Sequence, residues 1–408
     1  MVKTIRIVGV GATPLGRLSQ SATQLAITAL HKALADAGMR SDDLQGLVAV
    51  PSLSNPHFMQ AHHLATEAGL LPRQKMTVRT IDTGGAGPIS ALATAANMIR
   101  SEWAETVAIV ASDAVLSLDN KEFASRADGA VAGSSLPSPA IPHGYDAVAQ
   151  WQMREYGVTR EQLAMVPVIM SHLACRHPDA LCRAPLTLDE VLQSRPVAPV
   201  TSLLECARRA DGAAAIIVSS SKFWQRGGFE KPLAECPTVV ACGEGSGPLY
   251  PTRKDPADPS SPFDISESMF SCESACNFAY TSAQLSVEDI DFFGLYDCFP
   301  ICFLRALEAV RLCGRGEAGG WIERKYDQLM TTGTLSPADF PINTHGGLQC
   351  FGAPWEVPAM YNVIEAVQQL KGAANGRQVT PKPRRALVYG NGGIFSASSV
   401  AILGDGSY

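Results

Sequence analysis

An internal repeat constrains this chain more than any other feature. Residues 238–249, TVVACGEGSGPL, echo residues 5–16, IRIVGVGATPLG, and residues 282–297, SAQLSVEDIDFFGLYD, echo residues 36–50, DAGMRSDDLQGLVAV. One constant offset lays Asp289 on Asp43 and Ile290 on Leu44. Further on, the loop IDTGGAGP at 81–88 has its parallel in PINTHGGLQCFGAP at 341–354, with Ile81 and Thr83 matching Ile342 and Thr344, and the strand-like RALVYG at 385–390 matches ETVAIVAS at 105–112. Matched stretches in the same order predict a duplicated unit. Because each Gly-rich loop opens a helical pattern, the two halves are expected to face each other across one site.

Within the first half, an apolar run at 5–11 leads to a helical pattern from Ala22 to Ala37 that stops at Gly38. A buried strand LQGLVAV, a strand from Met76 to Ile81, a helix over 89–100 and a strand from Val107 to Ala111 follow. Strands alternating with helices predict a layered α/β architecture with a mixed sheet. Short, Pro-punctuated helical pieces over 114–210 read as an insertion, and AAAIIVSS at 213–220 returns the chain to the sheet. The predicted halves are 1–236 and 237–408.

With 408 residues, 46% hydrophobic and 18% charged, the chain has the balance of a globular enzyme. A net charge of −6 without a long basic run gives no reason to expect nucleic acid or an anionic membrane as partner. No stretch approaches the roughly 20 apolar residues of a membrane span, and the start MVKTIRIVGVG reads as a strand rather than a signal peptide. A cytoplasmic location is expected. All eleven cysteines lie beyond residue 174, in no paired C-x-x-C spacing, so neither a metal site nor a disulfide framework is expected. A nucleophilic thiol would have to come from the second half.

The chemistry concentrates in the two loops and in GLYDCF at 294–299. Glycine pairs at a helix mouth, Gly84 with Gly85 and Gly346 with Gly347, permit close backbone approach and can aim N–H groups at an anion or a carbonyl oxygen. His345 stands where it can donate to a thioester oxygen or take a proton. Tyr296, at the end of the apolar run FFGL, is either a core tyrosine or a catalytic hydroxyl. Asp297 orients a neighbour or caps the helix that follows, and Asn343 holds the loop or touches substrate. Cys298 and Cys302 fall four apart on an apolar helix and read as buried inert thiols. Among the remaining histidines only His143, in IPHGYD, is placed to face a pocket; His62, His63, His172 and His177 read as surface or insertion residues.

The duplicated strand and helix unit with its insertion, together with YDCF, NTHGGL and the terminal GNGG strand, resembles the thiolase superfamily along the whole chain. The likeness is greatest to the branch of the sterol-carrier-protein thiolases. The resemblance implies a five-layered αβαβα fold with two mixed sheet halves. Where that branch carries its nucleophilic Cys, in a pattern like CASGSAAL, this chain has GAGPISAL, with Gly85 in the Cys position. The family's HDCF-like His falls on Tyr296, its GHP His on Ala353, and its C-terminal Cys on Asn391. Four replacements together, with His345 added, resemble the thiolase-like acyl-CoA retro-aldolases of the steroid side-chain type, which lack the Cys and rely on tyrosines.

That resemblance implies retro-aldol cleavage of a β-hydroxyacyl-CoA with no covalent intermediate. Tyr296 or His345 would be the base, with Asp297 beside them, and the thioester enolate would be held among Gly84, Gly85, Asn343, Gly346, Gly347 and Asn391. It implies no cofactor beyond the coenzyme A thioester itself. It also implies a homodimer that recruits a small OB-fold, zinc-ribbon partner into a heterotetramer. The alternatives are an acyltransferase or condensing enzyme with Cys350 as nucleophile, and a noncatalytic subunit of an active thiolase.

Overall fold

The computed structural model describes residues 4–407 apart from Pro259. In the first half the chain forms β1 (Ile5–Ala12), α1 (Ala22–Ala37), β2 (Gly46–Ala49), α2 (Gln60–Glu67), β3 (Thr77–Thr80), α3 (Gly87–Arg100) and β4 (Thr106–Ala114). The insertion supplies helices α4 (Asn120–Gly129), α5 (Ala140–Tyr156), α6 (Arg160–Ala174) and α7 (Leu188–Leu192) and a small ribbon, β5 (Pro196–Ala198) with β6 (Thr201–Ser202). The ribbon adds strands to a region whose sequence reads as short helical pieces. Then β7 (Asp211–Ser220) and α8 (Ser221–Gly227) close the first half. The second half runs β8 (Thr238–Ser246), α9 (Cys272–Ala283), β9 (Phe292–Gly294), α10 (Pro300–Ala309), α11 (Ala318–Thr332), α12 (Pro358–Lys371), β10 (Arg385–Gly392) and β11 (Ala397–Gly404).

The strand order β3-β2-β4-β7-β1-β8-β11-β10-β9 shows the duplication directly. Outer strands are parallel in both halves, β3 with β2 with β4 and β9 with β10, while the inner strands are antiparallel. A counterpart of β3 is supplied by 341–343, where Phe293 N–H donates to the Pro341 carbonyl at 2.9 Å and Asn343 N–H to the Phe293 carbonyl at 3.0 Å. The two expected sheets join into one. The seam is narrow: Arg6 opposite Thr238, with Ile7 N–H donating to the Pro237 carbonyl at 2.8 Å.

The repeated Gly-x-Gly of β1 and β8 has one physical cause in both halves. A Cβ on Gly9 would stand 2.2 Å from the Ala33 carbonyl oxygen of α1, and one on Gly243 would stand 2.3 Å from the Ala275 carbonyl oxygen of α9. Each strand therefore admits its covering helix only because the side chain is missing. Helix α1 begins at a Ser21–Gln24 capping box and ends at Gly38 with φ +64°, as its sequence predicts. Helices α1 and α2 cover the outer face of the first half and α9 that of the second, backed by α10. Between the halves, α3 and α12 pack on each other and on strands of both. These are the five layers, and the site lies where the central helices begin.

Candidate active site

The loop before α3 forms a single 3-10 turn, Gly84–Ala86, and Pro88 opens the helix. A Cβ on Gly85 would stand 2.0 Å from the Tyr296 hydroxyl oxygen and 2.5 Å from the Asn391 carbonyl oxygen. The phenol of one half therefore fills the space that a side chain of the other half would need. Tyr296 follows β9 and is only 5% exposed, yet its hydroxyl has no hydrogen-bond partner among the described residues. Burial, with Cys298, Cys302, Glu356 and Asp297 around it, raises its pKa well above the usual phenol value. At neutral pH it keeps its proton and acts as a donor.

Three of the expected ligand-binding positions are turned to other work. Asn343 uses both ends of its amide on one residue: Leu295 N–H donates to its Oδ1 at 2.7 Å, and its Nδ2 donates to the Leu295 carbonyl at 2.7 Å. Of the two roles that the sequence leaves open for Asn343, these bonds are those of holding the loop: the amide splices it onto the strand end that carries Tyr296. The Asn391 Nδ2 donates to the Tyr145 hydroxyl at 2.7 Å, and its Oδ1 accepts from Tyr389 at 3.2 Å. Its backbone carbonyl, rather than its side chain, faces Gly85. The Gly346 N–H donates to the Asn343 carbonyl at 2.7 Å, inside the loop.

Asp297 is fully buried and caps a different element from the one expected. Its Oδ1 accepts from Leu348 N–H at 2.8 Å and from Asn343 Nδ2 at 3.3 Å. It thus holds the π-helical turn Gly347–Phe351, while α10 starts after Phe299 with no side-chain cap. Gly347 is required there, since a Cβ would stand 2.2 Å from the Asp297 Oδ2. Burial pushes this carboxyl up to about 7 against the backbone N–H groups of Leu348, Gln349 and Asp297 itself, which favour its charge. The Gly-Gly pair opens this turn and not α12, which begins only at Pro358.

His345 is 2% exposed, with its ring edge-on to Phe351 at 5.0 Å and its Nδ1 without a partner. Burial, then the Arg377 guanidinium, lowers its pKa to about 3. A neutral imidazole at pH 7 can donate a hydrogen bond but holds a proton weakly. Beneath it, Thr344 donates to Glu365 at 2.7 Å, and Arg377 meets the same carboxylate at 3.0 and 2.9 Å. Cys350 is 1% exposed and its thiol faces the Pro167 carbonyl, with Cys182 and burial raising its pKa well above the usual value. Cys298 precedes α10, so the expected helical pairing with Cys302 is also corrected.

Sequence reading missed Tyr145, His177, Gln349 and Glu356. Tyr145 of α5 stacks on Phe299 at 4.8 Å and donates to the Gly393 carbonyl, pinning the GNGG turn. It lies two residues from His143, and two residues apart on a helix are not on one face. His143 instead donates from Nδ1 to the Pro139 carbonyl within its own turn and lines a cleft of about 200 Å³ away from these residues. His177 of the insertion also packs edge-on to Phe351, at 4.7 Å. Gln349 is 3% exposed and neither end of its amide has a partner. The insertion clamps this whole loop through its backbone: Cys182 N–H to the Cys350 carbonyl at 2.9 Å, Arg208 N–H to the Leu348 carbonyl at 3.2 Å, and Ala353 N–H to the Arg208 carbonyl at 2.7 Å.

Against known proteins, residues 263–405 match a family model described as thiolase C-terminal domain-like. An acetyl-CoA acetyltransferase of Methanothermobacter thermautotrophicus is 28% identical over 386 residues, 93% of this chain and 94% of that one. A steroid side-chain-cleaving aldolase of Thermomonospora curvata is 28% identical over 386 residues, 90% of each. Among solved structures, the Ltp2-ChsH2(DUF35) aldolase superposes with a TM-score of 0.78 at 26% identity, covering 100% of this chain and 99% of that one.

Proposed function

We propose that this chain, which belongs to the thiolase superfamily, is a carbon–carbon lyase that cleaves or forms β-hydroxyacyl-CoA thioesters by aldol chemistry, with no acyl-enzyme. The observation that carries this reading is the Tyr296 hydroxyl lying 2.0 Å from the Cβ position of residue 85, where a nucleophilic side chain would otherwise sit. Acyl transfer by a nucleophile in the family's Cys position is thereby closed to this chain. An aldol cleavage needs instead a donor for the developing enolate oxygen and a group that moves one proton. The neutral phenol of Tyr296, the imidazole of His345 and the N–H groups of Gly84 and Gly85 are suited to the first task, because the amides of Ala86 and Gly87 are already taken by the Thr83 and Gly84 carbonyls. The aldolase relatives support the same reading.

Acetyl-CoA acetyltransferases are as similar in identity and support an acyltransferase as the second reading. Two measurements separate them. Mass spectrometry of products from a panel of β-hydroxyacyl-CoAs should show an aldehyde or ketone and a shortened acyl-CoA. Intact-mass measurement after incubation with acyl-CoA should show an unmodified chain, and an adduct on any cysteine would overturn the lyase reading.

The assembly belongs to the same proposal: a homodimer that binds a small OB-fold, zinc-ribbon partner. The neighbour with a DUF35 component supports the second contact. For the first, β3 is an uncovered sheet edge, and exposed apolar side chains flank it. Trp103 lies under Arg79 of β3 at 5.5 Å, and Phe58 and Met59 precede α2, whose Ala61 N–H bonds Thr80. No helix among the described residues is long and apolar enough to cross a membrane.

A further inference from the structure

One carboxyl between the two Gly-rich loops has a hydrogen bond from the Trp355 side chain and an oxygen left without one. Glu356 follows Trp355, whose φ of +48° turns the chain toward the mouth of α3. Its Oε2 is buried without a hydrogen-bond partner and lies 3.8 Å from where a Cβ on Gly87 would stand. Gly87 is two residues beyond Gly85, the position whose space the Tyr296 hydroxyl takes. Carboxyl and phenol thus sit beside the same helix mouth, and the charge on Glu356 is one of the causes that raise Tyr296. A buried acceptor left open in this way calls for a ligand group. Asp297, by contrast, is tied to the 347–351 turn, and His345 holds a proton too weakly.

We propose that Glu356 is the group that moves the proton in the cleavage, an assignment that rests on the lyase reading. Its carboxylate takes the β-hydroxyl proton as that oxygen forms the new carbonyl. The bond between Cα and Cβ breaks, and its electron pair becomes the thioester enolate, whose oxygen receives a hydrogen bond from Tyr296. Glu356 then returns the same proton to Cα and is a carboxylate again. One proton moves from oxygen to carbon, and no co-reactant is consumed. The groups facing Glu356 are the carboxyls of Asp82, before α3, and of Asp113, at the end of β4, the phenol of Tyr296 after β9, and the neighbouring Trp355. Burial first, then the two carboxylates, pushes Glu356 up to about 8, close to the working pH that suits a proton-transfer group.

The test uses the full chain and Glu356→Gln, which keeps size and removes the titrating group, with Glu356→Asp as the conservative variant. In the cleavage assay Glu356→Gln should lower kcat by about 100-fold to 10,000-fold while acyl-CoA Kd holds, and Glu356→Asp should restore part of the rate. The parent rate should climb with pH and level off near 8, and the Gln variant should lose that inflection. A second readout needs no carbonyl partner: the parent should exchange the α-hydrogens of a saturated acyl-CoA with D2O, and Glu356→Gln should not. If the Gln variant cleaves within a few-fold of the parent with the inflection intact, Glu356 is overturned and the lyase reading stands. If the parent exchanges but cleaves nothing, and the variant does not exchange, the lyase reading falls and Glu356 remains the enolate's proton-transfer group. A parent that neither cleaves nor exchanges overturns both.

Discussion

Gly85 and Tyr296 form one unit, because the phenol has its place only while position 85 lacks a side chain. Tyr296→Phe keeps the ring and removes a hydroxyl that no described residue binds. Its stability cost should therefore fall below the roughly 1 kcal/mol of an ordinary hydrogen bond, while loss of the enolate donor should slow cleavage by about 100-fold to 1,000-fold. Thermal melting and steady-state assays on the same preparation separate these effects. A rate within a few-fold of the parent would make the tyrosine structural. Gly85→Ala places a methyl 2.0 Å from the hydroxyl oxygen and 2.5 Å from the ring carbon that bears it, so overpacking should cost about 1–3 kcal/mol. In a Tyr296→Ala background that cost should shrink, and a double-mutant cycle in urea reads the difference. Additive effects would mean that the two positions do not share the space.

The loop that carries His345 is held from beneath by α12. Glu365 of that helix accepts from Thr344, from Arg377 and from Gln369, all inside the protein. The Arg377 guanidinium is 7% exposed and Glu365 is its partner at 2.9 Å. Glu365→Ala leaves that cation buried and unpaired, a loss of about 3–5 kcal/mol. Replacing Glu365 and Arg377 together by apolar residues should cost much less, because the pair has largely repaid its own desolvation. Denaturant midpoints of the single and double variants check this. Equal losses would show that the ion pair is not what holds the loop.

The folded chain as a unit should be most stable near about pH 4.5, with a gentle decline toward about pH 6.5 and steeper declines beyond it and below about pH 4. His345 and His177 are both lowered to about 3 by burial, so they fold neutral while the unfolded chain takes up two protons below its usual histidine pKa near 6.5. Asp297 and Glu356 are raised to about 7 and about 8, so they fold protonated while the unfolded chain has lost both protons above roughly pH 4. Between about pH 4.5 and 6.5 these two uptakes cancel, and the remaining slope is that of Glu205, also raised to about 7 by burial, so melting temperature should fall gently as pH rises. From there to pH 8 only the carboxyl term remains, and stability should fall. Below about pH 4 only the histidine term remains, and stability should fall toward pH 3. Glu356→Gln should lessen the alkaline decline, and an unchanged decline would mean that this carboxyl is already charged in the fold. For the assembly, light scattering at micromolar concentration should find a dimer. A monomer would leave β3 an open edge and remove that part of the proposal.

Periodicity and repetition predicted a duplicated, layered α/β unit without coordinates, since the spacing of apolar residues, the caps and the Gly stops are local and each half repeats them, and the five layers were implied by the family resemblance. Helix α1 ends at its Gly38, and the offset between Asp43 and Asp289 reappears as matched strands in the sheet. The absence of a thiol from the first 174 residues was equally plain. What no linear pattern carries is which groups from distant segments share a volume. That Tyr296 lies in the space of residue 85, that Asp297 caps a turn some fifty residues away and not the next helix, that Asn343 is used up on Leu295, and that Tyr145 and Glu356 enter the site are all consequences of two halves closing on each other. Burial then decides their chemistry: the same imidazole and carboxyl side chains have ordinary pKa values in a peptide, and only the closed interior makes His345 a neutral donor and leaves Glu356 poised near neutral pH.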